Sequence, residues 1–235
     1  MGGLNLQHVA HPTTMKTKNL ARLKPAPLTA RTFSRAIQLL CNQDADLAHI
    51  LTKLDPPTFW TRKPGFASLI RIILEQQVSL ASARASFDRL LEAVYPLTPK
   101  RFLESDEALL KSCGFSRQKT AYSRNLAREI VGGRLKLNRL ETMADHRVRN
   151  ELVKIKGIGP WTANIYLLTV LRRPDIWPRE DLALAIAAKQ IKRLESRPTP
   201  QELENLAAAW KPWRAVAARM LWHYYLNYRE EDTFE

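Results

Sequence analysis

The sequence predicts an all-α fold of about ten to twelve helices, on three observations. Apolar residues recur at helical spacing, as at Phe66, Leu69, Ile70, Ile73 and Leu74. Helix-start signals occur along the chain, with a capping box over residues 199–202. No pair of segments alternates between apolar and polar residues as neighbouring strands would.

The elements follow in chain order. Residues 1–30 lack helical periodicity, so we predict a flexible basic leader there. Ser79 is a predicted N-cap, and Gly132-Gly133 ends a long basic helix. The predicted helices are Thr32–Asn42, Ala45–Leu54, Phe66–Gln76, Leu80–Tyr95, Pro99–Glu104, Glu107–Cys113, Arg117–Val131, Asp145–Ile155, Pro160–Arg172, Leu182–Leu194, one beginning at Pro200, and Pro212–Tyr228, before an acidic tail at Glu230-Glu231-Asp232.

The charge balance favours a polyanionic partner. The 235 residues include 37 Lys and Arg against 23 Asp and Glu, for a formal net charge of +14. Such an excess steers a protein toward nucleic acid, although it could also serve solubility alone. The first 43 residues contain no acidic residue, which fits either an organellar transit peptide or a basic arm that touches DNA. We favour the arm.

Cysteine content and hydropathy limit the alternatives. Cys41 and Cys113 are too few for a disulfide framework or a four-thiolate iron–sulfur cluster, which favours a reducing compartment. No apolar run approaches the roughly 18 residues that span a bilayer. We therefore expect no membrane association.

A glycine hairpin between two predicted helices is the most informative motif. Gly157 and Gly159 let the backbone approach a partner closely, and Pro160 suits the first position of a helix. The N–H groups at that helix start form an anion site, with Lys154 and Lys156 just before it. We predict that this helix–hairpin–helix binds DNA phosphates without reading sequence.

The hairpin could also hold a monovalent cation. The main-chain carbonyls of Val153, Ile155 and Ile158 would be the ligands for Na⁺ or K⁺. We expect such an ion to be structural, and no cofactor to take part in catalysis.

Asp181 is the candidate catalytic residue. An aspartate before an apolar helix is usually an N-cap, and that reading stands beside the catalytic one. The short loop with Pro174 and Pro178 would return the chain toward the hairpin, which favours a role at the DNA. Glu180 is the neighbouring alternative, but it precedes the cap position and is expected to face solvent.

Aromatic residues and a pair of glutamines complete the candidate site. Trp161 begins the second hairpin helix, and Trp210, Trp213 and Trp222 lie near the C-terminus. Such rings usually belong to the core, yet electron-rich rings also attract a cationic ring. The pair Gln76-Gln77 follows an apolar helix and has two interpretations. It is either a solvated loop or a polar loop tip that fills the gap left by a displaced base.

Together these residues resemble the helix–hairpin–helix DNA glycosylase superfamily, specifically its 3-methyladenine DNA glycosylase II branch. The resemblance covers residues 64–228. It is carried by four stretches, which are Phe66–Ser79, Cys113–Tyr122, Leu152–Asn164 with Asp181, and Trp210–Arg214.

The resemblance implies two helical lobes with an active-site cleft between them. One lobe would span residues 64–173 and end in the helix–hairpin–helix, and the other would combine 31–63 with 174–235. It also implies roles for individual residues. These are catalysis for Asp181, the base pocket for Trp161 and Trp222, a wedge for Gln77, and DNA contacts for Lys154, Lys156, Gly157, Gly159 and Thr162.

The chain departs from family patterns at several points. Trp161 stands where lyase-active relatives have a Schiff-base lysine, so no such amine is expected. The four cysteines of the cluster-containing relatives are missing, and the leader is too short for an N-terminal β-rich domain. Ile165 replaces a pocket aromatic of some members. The pocket details and substrate range are therefore open.

We expect a monofunctional DNA glycosylase that flips alkylated bases, of the 3-methyladenine and 7-methylguanine type, out of duplex DNA and hydrolyses them off. A monomer is expected, in the bacterial nucleoid or in a eukaryotic nucleus or organelle. The alternatives are a non-catalytic DNA-binding module, a glycosylase for oxidised or mismatched bases, and an RNA-binding protein.

Overall fold

The all-α class is confirmed. A computed structural model describes residues 26–60 and 62–228, and within those ranges the regular elements are helices without any β-strand. The helices are α1 Ala30–Gln43, α2 Ala45–Lys53, α3 Phe66–Glu75, α4 Leu80–Ala93, α5 Pro99–Glu104, α6 Glu107–Ser112, α7 Arg117–Val131, α8 Leu137–Leu140, α9 Asp145–Val153, α10 Pro160–Thr169, α11 Leu182–Ile191, α12 Pro200–Ala207 and α13 Arg214–Tyr228, with a 3₁₀ turn at Ala208–Trp210.

Capping residues predicted the helix starts at α4 and α12 correctly. The Ser79 hydroxyl accepts the Ser82 N–H, and Thr199 and Glu202 form the predicted reciprocal capping box. Helix ends were less accurate, because α10 stops at Thr169 before Arg172, whose φ is 55°. The short helix α8 was missed, since four residues are too few to show a helical period.

The predicted leader extends too far toward the body. Leu28 is buried, and its N–H donates to the Arg172 carbonyl at 2.8 Å. The Thr29 side chain caps α1. Residues 28–30 therefore belong to the folded part, whereas residues 1–25 and the acidic tail lie outside the described residues.

Close helix packing falls within two groups. Helices α3–α7, α9 and α10 pack among themselves, as do α1, α2 and α11–α13. The first group carries the hairpin between α9 and α10, and the second carries Asp181 at the start of α11. The exact two-lobe boundaries stay a prediction. No described helix combines the length and hydropathy needed to cross a bilayer.

Candidate active site

The hairpin turn depends on its first glycine. Gly157 has φ 100°, in the left-handed region that side chains rarely adopt, and a Cβ there would come within 2.2 Å of the Tyr122 ring. Gly159 differs, because a Cβ on it would meet no atom within 4 Å. Gly157 thus lets the turn pack closely on α7, whereas the space beside Gly159 is open.

The start of α10 is open to a partner. Pro160 occupies the first turn, and no side chain caps this N-terminus. The first N–H groups of a helix have no partner within it, so they are available to an anion. Lys156 is exposed nearby, whereas the Lys154 ammonium pairs with Glu151 at 2.7 Å. Thr162 is buried, and its hydroxyl accepts a hydrogen bond from Gln76.

The hairpin carbonyls have different partners. The Lys156 carbonyl accepts from the Asn125 amide at 3.3 Å, and the Gly157 carbonyl accepts from the Gln76 amide at 3.0 Å. The Ile155 carbonyl accepts the Ile158 N–H at 2.9 Å. A carbonyl oxygen has a second lone pair, so this bond leaves Ile155 able to coordinate a cation.

Asp181 lies between two tryptophans. Its Oδ2 accepts the Trp161 indole N–H at 2.9 Å, and its Oδ1 accepts the Trp222 indole N–H at 3.1 Å. Oδ1 also caps α11 by accepting the Leu184 N–H at 3.0 Å. The side chain is 7% exposed. The N-cap interpretation is therefore correct, and it does not exclude catalysis, because the same carboxylate lies beside the hairpin helix.

Two ion pairs hold the loop that leads to Asp181. Arg173 is buried and pairs with Asp145 at the start of α9. The Arg214 guanidinium binds the Asp175 carboxylate with distances of 2.7 and 2.9 Å, which ties the loop to α13. Fixed at both points, the loop returns toward the start of α10, as its length and prolines predicted.

A cavity of about 280 Å³ lies next to Trp161. Its walls include Arg149, Glu180 and Arg214, but neither Asp181 nor Trp222. Glu180 is exposed, as expected. This cavity is therefore lined by Trp161, which donates to Asp181, but not by the Asp181 carboxylate itself.

The glutamine pair lies against the hairpin. Gln76 donates from Nε2 to the Gly157 carbonyl and to the Thr162 hydroxyl, at 3.0 and 2.9 Å. Gln77 is exposed and has φ 56°. The sequence suggested a polar loop tip but gave no sign that Gln76 binds the hairpin, because its partners lie 81 and 86 residues away.

Solved structures place the fold among those of helical DNA glycosylases. The structure is similar to Schizosaccharomyces pombe 3-methyladenine DNA glycosylase Mag1 in complex with abasic DNA, with a TM-score of 0.74 and 25% identity over 80% of this chain and 95% of the other. It is also similar to the DNA-3-methyladenine glycosidase of Bacillus halodurans, with a TM-score of 0.66 and 28% identity over 83% of this chain and 91% of that one.

Sequence comparison gives the family. Residues 70–214 match the model of the HhH-GPD superfamily base excision DNA repair proteins. The alkylbase DNA glycosidase-like protein mag2 of S. pombe is 31% identical over 81% of this chain and 92% of its own length. The chain belongs to the HhH-GPD superfamily of base excision DNA repair proteins. The resemblance to helix–hairpin–helix glycosylases is thereby confirmed.

Proposed function

We propose that the protein is a monofunctional DNA glycosylase that flips alkylated bases of the 3-methyladenine and 7-methylguanine type out of duplex DNA and hydrolyses their glycosidic bonds. The observation that carries the proposal is the Asp181 carboxylate, held by two indole N–H groups beside the open start of α10. The substrate class is supported by the similarity to a 3-methyladenine DNA glycosylase and to an alkylbase DNA glycosidase-like protein.

Asp181 supplies the catalytic charge. Alkylation at a ring nitrogen makes the base cationic and hence a good leaving group, so no enzymic acid is needed. The glycosidic bond breaks toward a cationic, oxocarbenium-like sugar, and the carboxylate stabilises that charge. Asp181 also orients or deprotonates the water that adds to the anomeric carbon. The products are the free base and an abasic site in an intact strand.

The hairpin holds the DNA next to this carboxylate. Phosphate oxygens would accept from the first N–H groups of α10, with Lys154, Lys156 and the turn at Gly157 and Gly159 nearby. The carbonyls of Val153, Ile155 and Ile158 would hold Na⁺ or K⁺, since main-chain carbonyl oxygens suit alkali cations. That ion would add positive charge for the phosphate, and we propose that catalysis needs no other cofactor.

The remaining site residues select and expose the base. Gln77 would fill the gap that the flipped nucleotide leaves, which lowers the cost of unstacking. Trp161 and Trp222 would stack on the cationic ring, an attraction of about 0.5–2 kcal/mol per ring. Because Trp161 offers an indole where a lyase would need an amine, we propose that no strand cleavage follows. The enzyme would act as a monomer on nucleoid, nuclear or organellar DNA.

The test uses alkylated duplex DNA and mass spectrometry of the released bases. We expect release of 3-methyladenine and 7-methylguanine, and strand breaks only after added alkali. Unmethylated duplex is the matched control. Absence of base release would overturn the glycosylase proposal, and strand cleavage without alkali would overturn its monofunctional part.

A further inference from the structure

One face of α7 contacts both the end of α3, which leads to Gln76 and Gln77, and the hairpin between α9 and α10. Lys119, Tyr122 and Asn125 follow at intervals of three residues, which places them along the same side of the helix. The Lys119 ammonium donates to the Leu74 carbonyl at 2.6 Å, near the end of α3. The Tyr122 ring packs on Gly157, and Asn125 donates to the Lys156 carbonyl. Helix α7 therefore braces the end of α3 and the hairpin together.

Gln76 joins these two parts directly. Its single amide nitrogen donates to the turn, at the Gly157 carbonyl, and to the first turn of α10, at the Thr162 hydroxyl. The bond to Gly157 holds the residue whose positive φ shapes the hairpin. The side chain thus connects the loop after α3 to the helix start that faces the phosphate.

Gln77 is the next residue and depends on this anchor. It is exposed and has φ 56°, a conformation that residues other than glycine rarely adopt. Its direction is set by the backbone that it shares with Gln76. A small movement of the hairpin would therefore be passed through the Gln76 amide to the Gln77 side chain.

We propose that Gln76 is a positioning residue that couples phosphate binding at the hairpin to insertion of Gln77 into the base stack. This inference rests on the proposed function, in which the hairpin grips the strand and Gln77 is the wedge. The side-chain hydrogen bonds of Gln76 go to the hairpin and not to Asp181, so its role is exerted through Gln77. Loss of its amide would leave both parts folded and braced by α7, but it would remove the direct link between the hairpin and the loop that carries Gln77.

The experiment is a double-mutant cycle between Gln76→Met and Gln77→Ala. Methionine keeps the length and packing of the side chain but removes both donors. We expect Gln76→Met to slow single-turnover excision about tenfold when Gln77 is present, and less than twofold in the Gln77→Ala background. Thermal unfolding of each variant checks that the fold is intact.

The matched control is Asn125→Ala. It also removes an amide bond to a hairpin carbonyl, but from α7 rather than from the wedge loop. Its effect should be the same with and without Gln77. If the effects of Gln76→Met and Gln77→Ala on the excision rate are likewise independent of each other, Gln76 has only a local structural role and the coupling proposal is wrong.

A second readout separates this inference from the proposed function. Duplex DNA with an abasic analogue beside 2-aminopurine reports unstacking by fluorescence without any excision. We expect the fluorescence rise to fall in Gln76→Met, and the affinity for undamaged duplex to stay within about twofold of wild type. An unchanged rise would overturn the coupling, whereas a wild-type protein that gives the rise but releases no base would overturn the glycosylase proposal alone. Gln76→Glu replaces the donors with acceptors that face Gly157, so it should reduce the rise at least as much.

Discussion

Two aspartates in this protein have nearly the same local structure and different electrostatic surroundings. Asp44 caps α2 and accepts the Trp210 indole N–H at 2.7 Å. Asp181 caps α11 and accepts indole N–H groups from Trp161 and Trp222. Both side chains therefore combine a helix N-cap with a tryptophan donor.

The two aspartates differ in whether a cationic side chain is bound to the carboxylate. The Lys192 ammonium binds both Asp44 oxygens, at 2.7 and 2.8 Å, and also reaches Asp46. Among the described residues, Asp181 has no ion pair with Lys, Arg or His. The Asp44 carboxylate is thus paired with a cation within the fold, while the Asp181 carboxylate is oriented by neutral N–H donors. In the proposed reaction, Asp181 would therefore have its charge available for the developing positive charge on the sugar. The helix cap is thus structural in both aspartates, and the lack of a paired cation at Asp181 supports the proposal that this residue is the catalytic one.

The largest expected effect comes from Asp181→Asn. Asparagine keeps an oxygen for the cap but has no charge, so single-turnover excision should fall about a hundredfold to a thousandfold. Binding to duplex DNA should be retained. Excision at the wild-type rate would show that the catalytic assignment is wrong.

Asp44→Asn is the control for that change. It removes a charge from the same kind of cap, but here the loss should lower the free energy of unfolding by about 1–2 kcal/mol, because Lys192 loses one of its two carboxylate partners. Excision per folded molecule should not change. If Asp44→Asn slowed excision as Asp181→Asn does, the contrast between the two caps would have no functional meaning.

The indole donors give a smaller effect. Trp161→Phe and Trp222→Phe keep an aromatic ring but each remove one N–H from Asp181, so each should slow single-turnover excision about tenfold. Trp210→Phe removes the matching donor from Asp44 and should lower thermal stability while the rate per folded molecule stays the same. Equal losses of stability without any loss of rate in all three variants would assign the Asp181 donors a purely structural role.

Local signals explain what the sequence predicted well. The glycine hairpin, the capping box at Thr199 and the prolines of the loop before Asp181 are signals carried by residues close together in the chain, where backbone preferences favour turns and caps. The ion pairs that hold the loop are long-range contacts that these signals did not indicate. Helix ends were less accurate because they depend on residues such as Arg172, whose positive φ no composition rule indicates.

Long-range contacts explain what was missed. Trp222 reaches Asp181 across 41 residues, and Lys192 reaches Asp44 across 148. The family resemblance implied that Trp161 and Trp222 line a base pocket, but the sequence did not show that their indole N–H groups orient the Asp181 carboxylate. That stacking role stays a prediction. The similar arrangement at Asp44 was not predicted, because its partners Lys192 and Trp210 are distant in the sequence.

The smallest expected effect is the pH dependence that Asp44 contributes to the free energy of unfolding. Partial burial disfavours the charged form of Asp44, but hydrogen bonds from Lys192, Trp210 and the Leu47 N–H outweigh it and hold its pKa below the ordinary value. A lowered folded-state pKa stabilises the protein at pH values above the unfolded pKa. That contribution is lost as the pH falls below about 4 and then through the lower folded value.

Chemical denaturation of wild type and Asp44→Asn between neutral pH and about pH 3 measures this contribution. Wild type should lose stability relative to the variant on the acid side, so the difference between the two curves should shrink as Asp44 becomes protonated. Lys192 stays charged throughout, and its own pKa is raised because the bonds to Asp44 and Asp46 outweigh its burial. If the difference in stability between wild type and Asp44→Asn stays constant down to pH 3, the charge of Asp44 contributes nothing to folding. The contrast between the two aspartates would then be supported only by the excision rates of their variants.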